Sequence, residues 1–335
     1  MATLHPKLSE ELSQTVVSST KSVKVKIKRS NPNVNAEQKF DDFVVPIEKW
    51  TTVLDALLDV KSHLDHSVGV RYSCRQASCG SCGMKVNGSA KLVCKTRIIE
   101  ISPNSEEIVI EPMGNQPVVK DLVVSLDTFF NQIKRVKPYI QPDHVPETGE
   151  YIASNESMEN LLTAMNCIMC GCCVSDCTVL EVDDNFIGPA ALAKAWRFVD
   201  DPRDSKRIDR LKDLNDEDGG FWDCTRCMQC VEVCPKGVDP MDRIMELRDM
   251  ALTNGMNNTY GAKHAEAVSN HIEHSGRIDE FRLPLESKGI FNFKEIAKLM
   301  PAGIRFALKK RAPSPIHFKN PNQKFVKNLF KKVEK

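Results

Sequence analysis

Twelve of the thirteen cysteines in this 335-residue chain fall into three groups of four, and their spacing restricts the possible folds more than any other feature. Cys74, Cys79, Cys82 and Cys94 stand as C-x4-C-x2-C-x11-C. Cys167, Cys170, Cys173 and Cys177 stand as C-x2-C-x2-C-x3-C, and Cys224, Cys227, Cys230 and Cys234 repeat that spacing just before Pro235. The first residues, MATLHPKLSEELSQ, contain no basic segment followed by an apolar run. The expected setting is therefore a reducing compartment, where thiols stay free and clustered thiols bind metal rather than pair as disulfides.

The first spacing is the plant-type pattern for a [2Fe-2S] cluster. Soft thiolates suit ferric and ferrous iron, and a tight loop carrying Gly80 and Gly83 lets backbone N–H groups approach the cluster sulfurs. Zinc is the competing reading, but zinc motifs usually come as two short C-x2-C pairs. The other two runs are the bacterial two-cluster motif written twice, in which the fourth cysteine of each run serves the other cluster. One cubane is then expected on Cys167, Cys170, Cys173 and Cys234, and the other on Cys177, Cys224, Cys227 and Cys230. The crossed ligation would tie together runs separated by 46 residues, coupling cofactor insertion to folding. Cys172 has no place in either quartet and is expected to be a buried free thiol.

Around the cysteines the pattern is α+β. VKVKIKR at 23–29 alternates, FVVPI at 43–47 is rich in β-branched residues, and GMKVNG at 83–88 and EEIVIEP at 106–112 continue the strand signal. TTVLDALLDVKSHL, from Thr51, interrupts it with a helical stripe behind a threonine. Sheet, crossing helix and cysteine loop predict a β-grasp, plant-type ferredoxin domain over 20–120. A helix is expected over 119–136, and a connector with several prolines over 121–150. An all-α, bacterial-ferredoxin-like domain carrying the two cubanes is expected over 151–255. Its helices are predicted in MENLLTAM, in GPAALAKAWRFVDD with Pro189 at the start, and in PMDRIMELRDMAL from Pro240. Residues 256–335 contain no cysteine and read as a basic amphipathic helical extension, with LESKGIFNFKEIAKLMPAGIRFALKKR and QKFVKNLFKKV as its helices. The bland reading is a helical extension packed on its own domain or a solvated basic face; the functional one is a docking surface for another subunit or for anionic headgroups. His63, His66, His264, His271 and His274 are expected on helix surfaces, with no role.

Forty-six basic residues against 45 acidic ones give no reason to expect a nucleic-acid partner. The tail differs: residues 291–335 hold 12 Lys or Arg and 2 Glu, a net of +10. No apolar stretch approaches the ~18 residues of a bilayer span, so membrane attachment is expected through a partner or an amphipathic surface. There is no dinucleotide fingerprint, no P-loop and no triad, so no organic-substrate chemistry is expected. Clusters pass single electrons, and a two-electron converter such as a flavin must then sit on a partner.

A plant-type motif followed by two bacterial-type runs resembles the iron-sulfur subunit of succinate dehydrogenases and fumarate reductases. So do CRQASCGSCGMKVNG, NFIGPAALAKAWRFVDDPRD and CVEVCPKG, with the resemblance covering residues 20–255. It implies a [2Fe-2S] cluster nearest the FAD of a flavoprotein subunit, a [4Fe-4S] cluster in the middle, and a distal cluster near membrane-associated, quinone-reducing subunits. The expected place is peripheral, on the cytoplasmic side of the membrane. The alternative keeps the same wire on another flavoenzyme, heterodisulfide-reductase-like or glycolate-oxidase-like.

Two departures from the family pattern matter. The usual distal site is [3Fe-4S] on cysteines matching Cys177, Cys224 and Cys230, with another residue at the position of Cys227. Cys227 restores a fourth thiolate and predicts a second [4Fe-4S] cluster, as in a variant group whose membrane-facing partner is similar to a heterodisulfide reductase subunit. Thr178, Val179, Leu180 and Thr225 stand where the family commonly has its quinone-contacting proline, aromatic and histidine. Residues 256–335 are expected to dock the membrane-facing partner.

Overall fold

The computed structural model describes residues 21–32, 35–104, 106–216, 218–314 and 316–333. The segment 1–20, on which the reading of the amino terminus rests, lies outside them. Contacts divide the chain into two compact units, Met1–Ser205 with Thr225–Ile244, and Lys206–Cys224 with Met245–Lys335.

The first unit begins with a mixed five-stranded sheet. Its strands are β1 (Lys21–Asn31), β2 (Asn35–Ile47), β3 (Gly83–Val86), β4 (Ser89–Leu92) and β5 (Glu107–Glu111), in the order β2-β1-β5-β3-β4. β1 runs antiparallel to β2 and parallel to β5, with Val25 beside Phe43 and Ile108. The alternation of the sequence becomes an alternation of burial: Val23, Val25 and Ile27 are buried while the lysines between them are not. Asn87 and Gly88, both at positive φ, close the two-residue β3–β4 hairpin, which needs left-handed backbone at both positions. The helix Val53–Asp59 crosses the sheet. Thr52 caps it, accepting from the Asp55 N–H while the Asp55 carboxylate accepts from the Thr52 N–H. Val53, Leu54, Ala56 and Leu57 close the core over β1, β3 and β5.

The predicted helix over 119–136 is shorter than expected. Val118–Lys120 and Val123–Val124 form a small antiparallel pair turning at Asp121, which sits at positive φ, and the helix covers only Asp127–Arg135. Four valines over 118–124 favoured strand over helix there, because their branched Cβ atoms are restricted against a preceding helical turn.

The cubane half of this unit is helical. Gly188 holds φ +87, and Pro189 follows at the first position of the helix Pro189–Val199, where a missing N–H costs nothing. Nine of its eleven residues are buried, and the alanines among them let the helices Asp127–Arg135, Leu162–Met165 and Cys172–Ser175 pack closely around it. Arg243 covers the Trp196 ring at 4.3 Å.

The second unit is also helical, with Tyr260–Ser275 packed on Leu283–Lys288 and Gln323–Val333. Gly261 is required there because any side chain would run into Trp222. Two of the histidines expected on surfaces are partly buried joints. His264 pairs with the Ser287 hydroxyl at 3.0 Å and His271 with the Glu286 carboxylate at 2.9 Å; His63, His66 and His274 are exposed as expected. Among the described residues, no helix is long and apolar enough to cross a membrane.

Candidate functional site

The loop joining the crossing helix to β3 carries Cys74, Cys79 and Cys82, and Cys94 follows β4. Its backbone turns its N–H groups inward. Gln76, Ser78 and Cys79 donate to the Cys74 sulfur at 3.5, 3.3 and 3.3 Å. Cys74 and Ser81 donate to Cys79 at 3.5 Å, and Ala77 to Cys94 at 3.2 Å. Arg75, Ala77 and Gly80 reach this shape through left-handed φ values of 58°, 57° and 73°. Backbone donors converging on three of the four sulfurs are what a thiolate-held cluster needs, since each N–H stabilises sulfur charge. Ser81 and the N–H of Cys74 hold the exposed Cys79 thiol down to about 6, while burial pushes Cys82 up to about 12.

The second constellation lies against the first within the same unit. A Cβ at Gly80 would stand 2.9 Å from both Cα and Cβ of Cys170. One at Gly83 would meet the Met113 sulfur at 2.8 Å and the Cys170 carbonyl at 3.3 Å. The two glycines thus have different duties: Gly80 also supplies a left-handed turn, whereas Gly83 only leaves room.

Cys167, Cys170, Cys173 and Cys234 line one pocket, open in part to solvent, with Ile168, Met169 and Pro235. The structure therefore brings together the four cysteines that crossed ligation assigns to one cubane. Burial raises the Cys167 thiol and places Cys173 well above the ordinary range, so each would bind as a thiolate only with positive charge nearby. Lys194 acts on Cys167 and Lys236 on Cys170 in that sense. Cys172 is fully buried, as expected, and its thiol beside Cys170 helps hold the Cys170 thiol down to about 7.

Both bacterial-type runs share one backbone pattern. Met169 and Gly171 in the first, and Arg226 and Met228 in the second, are left-handed at matching positions, and each run continues into a short helix, Cys172–Ser175 or Gln229–Glu232. These two helices pack on each other. Of the distal quartet, Cys177, Cys227 and Cys230 belong to the first unit and Cys224 ends a segment of the second. Cys227 is exposed, and burial that would raise it is outweighed by the Thr178 hydroxyl, which donates at 3.4 Å, and by Thr225. Thr178 and Thr225 thus both act on Cys227.

Several residues missed at the sequence level hold these loops in place. Asp176, buried, accepts from the Ala90 N–H at 2.8 Å and faces Lys85 at 3.7 Å, fixing the first run to the β3–β4 hairpin. The Asn115 amide donates to the carbonyls of Val174 and Cys177 at 2.8 and 2.9 Å. Within the second unit, buried Arg248 donates to the carbonyls of Phe221, Trp222 and Cys224, shaping the turn that presents Cys224. A polar residue beside or between cysteine runs is the one signal that marked Asp176; nothing in the sequence marked Arg248.

Among the described residues, no three His, Cys, Asp or Glu side chains are arranged to hold a single metal ion. Thiols fringed by backbone donors fit the larger iron-sulfur group, whose inorganic sulfides separate the protein ligands.

A model for 2Fe-2S iron-sulfur cluster binding domains matches residues 24–131, and one for 4Fe-4S dicluster domains matches residues 163–238. The fumarate reductase iron-sulfur subunit of Mycobacterium tuberculosis is 37% identical over 234 residues, covering 69% of this chain and 94% of the relative. The 8-methylmenaquinol:fumarate reductase iron-sulfur subunit of Wolinella succinogenes is 33% identical over 71% of this chain and 76% of its own length. The succinate dehydrogenase iron-sulfur subunit of Coxiella burnetii is 34% identical over 66% and 94%. A chain of the Mycobacterium smegmatis Sdh1 complex in the apo form superposes with a TM-score of 0.66 at 24% identity, covering 72% of this chain and 99% of that one, and so shares its fold.

Proposed function

We infer, from the premise that this chain belongs to the family of iron-sulfur subunits of succinate dehydrogenases and fumarate reductases, that it is the electron-transfer subunit of such an enzyme and not its substrate-binding one. The observation that carries the reading is the fit of the Gly80 turn against Cys170, which sets two cluster-binding loops backbone to side chain inside one compact unit.

Iron-sulfur clusters at these cysteines would accept and release electrons one at a time. Cys74, Cys79, Cys82 and Cys94 would hold [2Fe-2S]. Cys167, Cys170, Cys173 and Cys234 would hold one [4Fe-4S], and Cys177, Cys224, Cys227 and Cys230 a second one rather than [3Fe-4S]. The chain's own part is to supply thiolates, to aim N–H groups at them, to bring Lys194 and Lys236 near the middle site, and to wall that site with the apolar side chains of Phe129, Ala190 and Ala193. Thr178 and Thr225 would favour the charged form of Cys227, which supports a fourth ligand at the distal site.

The strand order, with its parallel β1–β5 pair and crossing helix, supports the β-grasp reading of 20–120, and the duplicated loop-helix pattern supports a bacterial-ferredoxin-like domain over 151–255. Residues 121–150 would connect them, and 256–335 would form the extension. The partners in this reading are an FAD-containing flavoprotein and a membrane-associated anchor or heterodisulfide-reductase-like subunit, with quinone at the far end. The complex would be peripheral, on the cytoplasmic side.

The test is co-purification of the chain with its neighbours. An FAD-bearing subunit should come with it, and the complex should couple succinate to a dye. A flavoprotein that oxidises another substrate and ignores succinate and fumarate would overturn the reading in favour of a different flavoenzyme.

A further inference from the structure

We propose that residues 291–335 form an interfacial module that lies directly on an anionic membrane surface, independently of any contact between this chain and membrane-associated subunits. The inference goes beyond the electron-transfer reading and does not rest on it.

The helix Phe293–Leu308 has sixteen residues and none of them is buried. At 100° per residue, Phe293, Met300, Ile304 and Leu308 fall within an arc of about 80°, and Lys294, Lys298 and Arg305 within about 40° on its flank. The apolar four are 75%, 58%, 55% and 80% exposed. A folded chain seldom leaves so continuous an apolar stripe in water. Further along, Ile316 and Phe318 are exposed as well. The helix Gln323–Val333 packs on Tyr260–Ser275, yet still presents Phe325 and Leu329 to solvent beside Lys324, Lys327 and Lys331.

Charge decides which occupant this surface fits. The segment carries a net of +10 in the sequence, and its one acid among the described residues, Glu295, is already paired with Lys298. A protein groove recognises a few side chains on one helix face. Here apolar residues flanked by cations recur through two helices and the stretch between them, as in a segment spread along a plane. Apolar side chains entering the headgroup boundary with cations held at the level of the phosphates is the arrangement of interfacial helices.

The full-length, cluster-loaded chain, without its partner subunits, should be sedimented with vesicles of phosphatidylcholine alone and with added phosphatidylglycerol. Binding is expected only with the anionic lipid, and should weaken at ~1 M salt, where the screening length falls to ~3 Å. The variant Phe293→Ser/Ile304→Ser/Leu308→Ser should lower the partition coefficient at least about tenfold, and Lys294→Gln/Lys298→Gln/Arg305→Gln should do likewise. All of these positions are exposed, so both variants should keep the visible absorbance of the parent, which separates lost docking from lost folding. The proposal is overturned if the parent ignores anionic vesicles or binds neutral ones equally well. It is also overturned if the variants bind vesicles like the parent but no longer retain a membrane-associated subunit in detergent, which would assign the face to a protein.

Discussion

Replacing Gly80 by alanine should separate two costs that the neighbouring Gly88 helps to apportion. Both glycines have left-handed backbone, with φ of 73° and 80°. An added Cβ costs roughly 1–2 kcal/mol in that conformation whatever surrounds it. At Gly88 nothing lies within 4 Å, so Gly88→Ala should cost that strain alone. At Gly80 the same atom would stand 2.9 Å from two atoms of Cys170 and 3.1 Å from the Ile168 carbonyl, none of them the loose end of a flexible side chain. Forcing a close-packed contact open adds roughly 1–3 kcal/mol, which places Gly80→Ala at about 2–5 kcal/mol in total. Anaerobic urea unfolding of the cluster-loaded chain, followed by the visible circular dichroism of its clusters, would read the difference between the two variants. Equal midpoints would mean that the loop is not seated on Cys170.

Three further substitutions bear on the sites. Cys227→Ser should lower iron content by about one atom per chain and bring out a [3Fe-4S] EPR signal in the oxidised protein; unchanged iron would mean that Cys227 is not a ligand. Cys172→Ala should leave the iron content intact, since Cys172 is outside both quartets; lost iron would make Cys172 a ligand. Asp176→Ala should cost about 1–3 kcal/mol by leaving the buried Ala90 N–H unpaired and freeing Lys85, seen as a lower urea midpoint with cluster types unchanged.

The features legible in the sequence were those determined by neighbours along the chain. Thr52 announces its helix because its hydroxyl and Asp55 meet three residues apart. The alternation over 23–29 announces a half-buried strand because successive side chains point to opposite faces. The cysteine runs announce clusters because a loop of fixed length sets where the thiols stand. What was not legible depends on distant partners. Asp176 meets Ala90 across 86 positions, and Asn115 meets Cys177 across 62. His264 and His271 have the spacing of surface residues and become joints only because Leu283–Lys288 folds back on them. The helix expected over 119–136 is cut short for a different reason: the valines before Asp127–Arg135 continue its apolar stripe but, with a turn at Asp121, pair as strands.

Three clusters on twelve thiolates would fix the metal content of the anaerobically purified chain. The prediction is about ten iron atoms and about ten acid-labile sulfides per chain, the sum for one [2Fe-2S] and two [4Fe-4S] groups, in a brown protein that bleaches with dithionite. A colourless chain carrying zinc and no sulfide would contradict it.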